Sequence, residues 1–333
     1  MIPHPPSAAP VLEVDDLQIG VRKRPAMQIL RSVSFKIHAG ETLAIVGESG
    51  CGKSMTSLAI MGLLPDAVER RGGSVRFKGA ELPITDNRAM RKVRAAQIGM
   101  VFQEPMAALD PLYPVGKQVL EVIEEHEDIP RAKAWARVID LLARVDLPNP
   151  EVLAWSYPHK LSGGQLQRVV IAMALACNPE VLIADEPTTA LDVTVQAQIM
   201  RLLKRLQRDT GVAIVLITHN LGLVAHTADR VMVMYAGYKA EEGQTRDLFL
   251  APRHPYTQGL LDATPNPDRL AAGGGVLREI PGTVPSISDP MPGCRFAPRC
   301  PRAQEVCRAS VPGPVFEGSH GYACFNPVPA ARG

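Results

Sequence analysis

The chain has 333 residues, of which 46% are hydrophobic and 21% charged, with a formal net charge of +2. Such a length buries a full core and accommodates two domains, or one large domain with an extension. The near balance of charge gives no footing for a nucleic-acid partner, and no apolar run approaches the roughly eighteen residues that span a bilayer.

The opening stretch MIPHPPSAAP is proline-rich and lacks the apolar segment of a signal peptide, so residues 1–10 read as a disordered tail and the chain as cytosolic. In that compartment six cysteines fit thiols or metal ligands better than disulfides. VLEVDDLQI (11–19) and SVSFKI (32–37) alternate as strands do, and ETLAIVG (41–47) is an apolar run ending in glycine, as in a buried parallel strand. GGSVRFKG (72–79) and QIGMVFQ (97–103) predict two more strands. Helical periodicity fills roughly 115–145, with a break at Pro130, and returns at 194–208. VLIADEP (181–187), VAIVLITHN (212–220) and DRVMVMYAG (229–237) predict three further core strands. This order implies an α/β fold with a parallel-sheet core, an antiparallel β-subdomain and an inserted helical subdomain at about 105–165. Beyond residue 250 proline and glycine dominate, so 250–333 reads as a loop-rich extension of a domain spanning 11–249.

GESGCGKS (47–54) follows an apolar strand and precedes a helix-compatible segment, the context a P-loop requires. Its glycines Gly47, Gly50 and Gly52 let the backbone curl around phosphate oxygens, with Glu48, Ser49, Cys51 and Met55 completing the nucleotide-binding stretch. Lys53 is placed to reach the β- and γ-phosphates, and the Ser54 hydroxyl to ligate Mg²⁺. Asp185 ends the apolar run VLIAD at the sheet edge where ligands of open α/β sheets sit, the position of a second magnesium-holding group. Glu186, one residue on, is the candidate general base that polarises an attacking water. Cys51 occupies a variable P-loop position and reads as incidental, though alkylation there is expected to block nucleotide binding, with ATP protecting.

LSGGQLQR (161–168) supplies a second phosphate-binding surface: Ser162 can cap the following helix while Gly163 and Gly164 leave its first N–H groups open. One nucleotide cannot easily use both surfaces of one subunit, which points to two subunits arranged head to tail.

With these motifs the chain resembles the ATP-binding-cassette ATPases over roughly 11–245. The resemblance also takes in Gln103 of VFQEP, ALD at 190–192 and His219 of ITHN. It implies ATP and Mg²⁺ as ligands and an ATPase activity with Glu186, His219 and Gln103 as catalytic residues. By the same resemblance Gln103 joins Ser54 and Asp185 at the metal, and Asp192 links the two sites of a dimer. Leu161, Ser162, Gly163, Gly164 and Gln165 would meet the partner's nucleotide. Val21 stands where the family usually carries an adenine-stacking aromatic residue.

Farther along, HPYTQGLLDATP (254–265), IPGTVPSI (280–287), GCRFAPRC (293–300) and ACFNP (323–327) are similar to the C-terminal extension of oligopeptide/dipeptide importer ATPases, whose relatives carry peptides, nickel or other small solutes. That likeness implies a second homologous ATPase, two transmembrane permeases and an extracytoplasmic substrate-binding protein as partners. The expected location is peripheral, on the cytoplasmic face of the inner membrane. Nickel or another small solute is the alternative cargo, and a non-transport ATPase acting on nucleic acid or ribosomes the more distant alternative.

Cys294, Cys300, Cys307 and Cys324 lack the close pairs of zinc sites. Four thiolates on irregular loops suit a [4Fe–4S] cluster, with zinc or free thiols as alternatives, and some members of the importer family are similar in holding a cluster there. Arg295, Arg299, Arg302 and Arg308 interleave these cysteines and read as a field compensating an anionic cluster.

Overall fold

The computed structural model describes residues 9–189, 191–264, 279–289 and 291–329. Most of the proline-rich tail, most of ATPNP, all of AAGGG and residue 190 lie outside the described residues. The strands there form two sheets. The smaller is antiparallel, ordered β2-β1-β4-β5, from β1 (Leu12–Val21), β2 (Gln28–Ile37), β4 (Val68–Phe77) and β5 (Ala80–Glu81). The larger holds β3 (Thr42–Val46), β6 (Ile98–Val101), β7 (Val181–Asp185), β8 (Ala213–Thr218), β9 (Arg230–Tyr235), β10 (Tyr238–Gln244), β11 (Val315–Glu317) and β12 (His320–Tyr322). Its order is β11-β12-β10-β9-β3-β8-β7-β6, parallel from β9 through β6.

The parallel strands are covered on both faces, which is why each reads as an unbroken apolar run. Side chains of a strand alternate between faces. Ile183, Val215 and Ile217 therefore turn to a core shared with β1, β2 and β4. Leu182, Ala184, Ile214 and Leu216 turn to a second core built on helices Val115–His126, Arg131–Arg144, Gly163–Ala174 and Val193–Thr210. The expected break at Pro130 is the residue from which Arg131–Arg144 starts. In Val193–Thr210 the buried Ile199, Leu202, Leu203 and Leu206 fall on one face at helical spacing. The helix begins at Asp192, whose carboxylate accepts the Val195 N–H at 3.0 Å, and ends at Gly211 in the left-handed conformation, φ +73°.

The described residues past 250 hold more regular structure than their proline and glycine content predicts. Helix Pro255–Asp262 and the hairpin β11–β12 belong to it, and β12 pairs antiparallel with β10, extending the large sheet. A three-residue strand has too few positions to display period-2 alternation, so HGY carried no signal. Tyr256 and Phe296 of this segment join Tyr235 and Leu248 in a third core, with ring centroids 4.6 Å apart for Tyr235–Tyr256 and 5.3 Å for Tyr256–Phe296. Beneath that core Glu241 is wholly buried, accepting the backbone N–H groups of Arg253 and His254 and lying 2.7 Å from His320 Nε2.

Candidate functional site

Four parallel strands deliver the chemistry to one edge. β3 runs into Gly47, β6 toward Gln103, β7 ends on Asp185, and β8 ends one residue before His219. Because β3 lies between β9 and β8, with β7 beyond, residues 130 to 170 positions apart in sequence converge there.

The loop after β3 needs glycine at both ends. A Cβ on Gly47 would lie 2.3 Å from the Met234 carbonyl oxygen, and Gly52 holds φ +105° at the start of helix Lys53–Ile60. Lys53 is buried and its ammonium donates to the carbonyls of Gly47 at 2.8 Å and Glu48 at 3.1 Å. Ser49 and Gly50 are exposed, while Ser54 and Met55 are half-buried. Ser54 donates to Asp185 Oδ1 at 3.0 Å and Ser57 to Oδ2 at 3.3 Å. Burial pushes the Asp185 carboxyl above the usual aspartate value, a push the two serine hydrogen bonds oppose.

Glu186 has φ +46°, which turns its side chain away from the strand direction. One carboxylate oxygen accepts from Thr189 Oγ1 at 2.8 Å and Gln103 Nε2 at 3.5 Å; the other lies 3.3 Å from His219 Nδ1. Burial alone would raise this carboxyl, but the hydrogen bonds from Thr189 and His219 outweigh it and hold the pKa below the ordinary glutamate value. Thr189 was not among the residues expected at the site. Its offset of three from Glu186 in EPTT, a common side-chain turn spacing, is the signal that would have found it.

Ser162 caps helix Gly163–Ala174 as expected, in a reciprocal box: the Gln165 N–H donates to Ser162 Oγ at 3.3 Å and the Ser162 N–H to Gln165 Oε1 at 2.9 Å. Leu161 packs on the helical core. The neighbours of Gly163 and Gly164 are Leu191 and Val195, on either side of Asp192, so the LSGGQ loop and the start of helix Val193–Thr210 lie side by side. Val21 ends β1 half-buried, with Arg71 donating to its carbonyl at 2.8 Å.

Burial bears on the alkylation expected at Cys51. It is 1% exposed, and burial raises its pKa, so the thiolate that an alkylating reagent needs is both scarce and shielded.

The four tail cysteines are free thiols that line one cavity together with Phe296, Arg302 and Asn326. Burial pushes the thiols of Cys294, Cys300 and Cys324 up, the last to about 11, and neighbouring cysteines push each further. Among the described residues no group of three or more His, Cys, Asp or Glu side chains is gathered as a single-ion site. Of the arginines expected to compensate a cluster, Arg302 lines the cavity with the cysteines, whereas Arg295 and Arg299 are engaged elsewhere. Arg295 donates to the carbonyls of Ser286 and Asp289, and Arg302 to Asn326. Arg299 reaches the P-loop, donating to both carboxylate oxygens of Glu48 at 2.7 and 2.9 Å.

A glycine loop holding a buried lysine, a serine of the following helix paired with the aspartate that ends β7, and a separate glycine-headed helix define an ATP-binding-cassette ATPase. Residues 30–189 match the ABC transporter family, and residues 240–307 match the oligopeptide/dipeptide transporter C-terminal region. The dipeptide transport ATP-binding protein DppD of Bacillus subtilis is 48% identical over 318 residues, 95% of this chain and 94% of that one. The oligopeptide transport ATP-binding protein OppD of Escherichia coli is 47% identical over 319 residues, 96% of this chain and 94% of that one. Among solved structures, cbiO1 from Clostridium perfringens, part of the ABC transporter complex cbiONQ, superposes with a TM-score of 0.63 at 30% identity, covering 72% of this chain and 90% of that chain. The cassette MJ0796, in a dimeric post-hydrolysis state bound to ADP and Pi, gives 0.62 at 30% identity, covering 71% and 99%. The chain belongs to the family of ATP-binding subunits of oligopeptide/dipeptide ABC transporters. No helix among the described residues is long and apolar enough to cross a membrane.

Proposed function

We propose that this ATPase powers import of dipeptides or oligopeptides across the cytoplasmic membrane. It works at the inner face as a head-to-tail pair with a second, similar ATPase, beneath two membrane permeases fed by an extracytoplasmic binding protein. The observation that carries the cargo is the segment matching the oligopeptide/dipeptide C-terminal region, which is built into the sheet and the third core. Residues 11–249 form the ATPase domain, with 105–165 as its helical subdomain and 250–333 as the importer-type extension.

In this reading Lys53 and the backbone N–H groups of 50–55 hold the phosphates of ATP, and Glu186 is the base toward water. Its low pKa keeps it ionised at neutral pH, and Thr189, Gln103 and His219 fix its direction. Ser54, Asp185 and Gln103 offer Mg²⁺ the hard oxygen donors it prefers, and the first two already meet at 3.0 Å. When bound, the ion neutralises phosphate charge. Leu161–Gln165 and Asp192 face the partner's nucleotide.

Reconstitution with a permease pair tests the cargo: peptide-loaded binding protein should raise ATP hydrolysis several-fold. Stimulation by a nickel chelate but not by peptides overturns the peptide assignment, and recovery with ribosomes in place of membranes overturns transport.

The cysteine cavity is assigned a [4Fe–4S] cluster. Four sulfur donors sharing one cavity suit a cluster, whose thiolates stand further apart than the ligands of a single ion. Bound there, it staples a segment whose own core is small. Protein purified without oxygen should contain close to four irons with matching sulfide, lost in Cys300→Ser. Zinc in their place, or no metal, removes the cluster and leaves the ATPase assignment intact.

A further inference from the structure

Glu48, the second residue of the P-loop, is held from the C-terminal extension on both its backbone and its side chain. The Glu48 N–H donates to Tyr256 Oη at 2.9 Å, and the carboxylate receives the Arg299 fork at 2.7 and 2.9 Å. Arg299 is itself fixed. Its Nε donates to the Pro281 carbonyl at 2.8 Å, Nη2 to that of Ile280 at 3.3 Å, and Nη1 to Tyr235 Oη at 3.2 Å. The arginine side chain is 4% exposed, whereas that of Glu48 is 30% exposed. Solvent can therefore satisfy Glu48 without the arginine, whereas the buried guanidinium draws its countercharge from Glu48. Tyr256 is wholly buried, and the Gly237 N–H donates to the Cys51 carbonyl at 3.0 Å, so the loop has no slack on that side.

We propose that Arg299 is a positioning residue for ATP: through Glu48 the extension holds the P-loop in its phosphate-receiving shape, and nucleotide affinity depends on that hold. The inference rests on the P-loop as the nucleotide site. A fixed bidentate pair restricts the loop before the ligand arrives, which lowers the ordering cost of binding. Because such coupling is reciprocal, bound ATP steadies the segment around Arg299 in turn, including the neighbouring Cys300.

A field effect and a positioning effect differ in sign. If only charge near the phosphates mattered, Arg299→Met would weaken ATP binding and Glu48→Gln would tighten it. Positioning makes both weaken it.

The test is ATP affinity of the full chain, by calorimetry, for Arg299→Met, Arg299→Lys, Glu48→Gln and the Arg299→Met/Glu48→Gln pair. Breaking a charge-assisted fork should cost each single variant about tenfold in affinity. Arg299→Lys should recover part of the loss, and the pair should be no worse than either single. ATP should slow hydrogen exchange over 294–307 in the parent chain but not in Glu48→Gln. Unchanged affinity in Glu48→Gln, tighter binding in it, or losses that add in the pair overturn the proposal. Should Arg299→Met fail to fold, Glu48→Gln, at a partly solvated side chain, decides alone. Lys53→Ala separates the two readings: if it binds ATP normally, the P-loop assignment fails, whereas if it abolishes binding while Glu48→Gln does not weaken it, only the role of Arg299 fails.

Discussion

Glu186→Gln is expected to lower ATP hydrolysis by at least about a hundredfold while leaving ATP bound, the loss typical of removing a general base. Glutamine keeps the length and shape of the side chain and still offers an oxygen to Thr189, whose hydroxyl donates to Glu186 at 2.8 Å. What it removes is the basic oxygen pair between Gln103 and His219. Alanine would be a poorer test, since it would also free Thr189 and change the loop at a residue with φ +46°. Nucleotide should stay bound because Lys53, Ser54 and Asp185 are untouched. The measurement is phosphate release under single turnover, beside the fraction of protein that elutes as an ATP-bound dimer. Turnover equal to the parent would remove Glu186 from the role of base.

Acid should weaken the protein through a residue remote from that chemistry. His254 is 4% exposed, and burial depresses its pKa to about 4, against a smaller opposing pull from Glu241. Its Nδ1 accepts the Tyr256 N–H at 3.0 Å, which requires that nitrogen unprotonated. In the unfolded chain the same ring titrates near 6.5. Between those values the unfolded state takes up a proton that the folded state refuses, so the contribution of His254 to stability falls as pH drops from about 6.5 to about 4 and changes no further below. The shift is worth about 3 kcal/mol at full extent. Denaturation midpoints at pH 7, 5.5 and 4.5 should show the decline, and His254→Asn, which keeps an acceptor at the helix start, should flatten it. An equally steep decline in that variant would move the cause elsewhere.

The strand edge proposed for catalysis was legible because its parts are local. β3, β7 and β8 are unbroken apolar runs since helices or strands cover both faces, and the motifs at their ends sit at fixed offsets from them. Ser162 announced a cap by standing directly before the helix that Gly163 opens. What stayed hidden depends on distance. Arg299 and Glu48 are 251 positions apart, and nothing in GCRFAPRC tells an arginine that offsets a cluster from one that grips a loop. Cys51 illustrates a different gap: its place in the motif was plain, whereas its burial depends on how Gly47 and Lys53 pack around it.

The hairpin β11–β12 has a consequence for solubility. Without it, β10 would be the rim of a six-stranded sheet, presenting a row of unpaired N–H and C=O groups on which another chain could add a strand. The hairpin occupies that rim and leaves in its place β11, three residues long and preceded by Pro312 and Pro314, too short and too interrupted to template further pairing. The extension thus guards the cassette against fibrous self-association, and a chain cut at 249 would lose that guard along with the contacts to the P-loop.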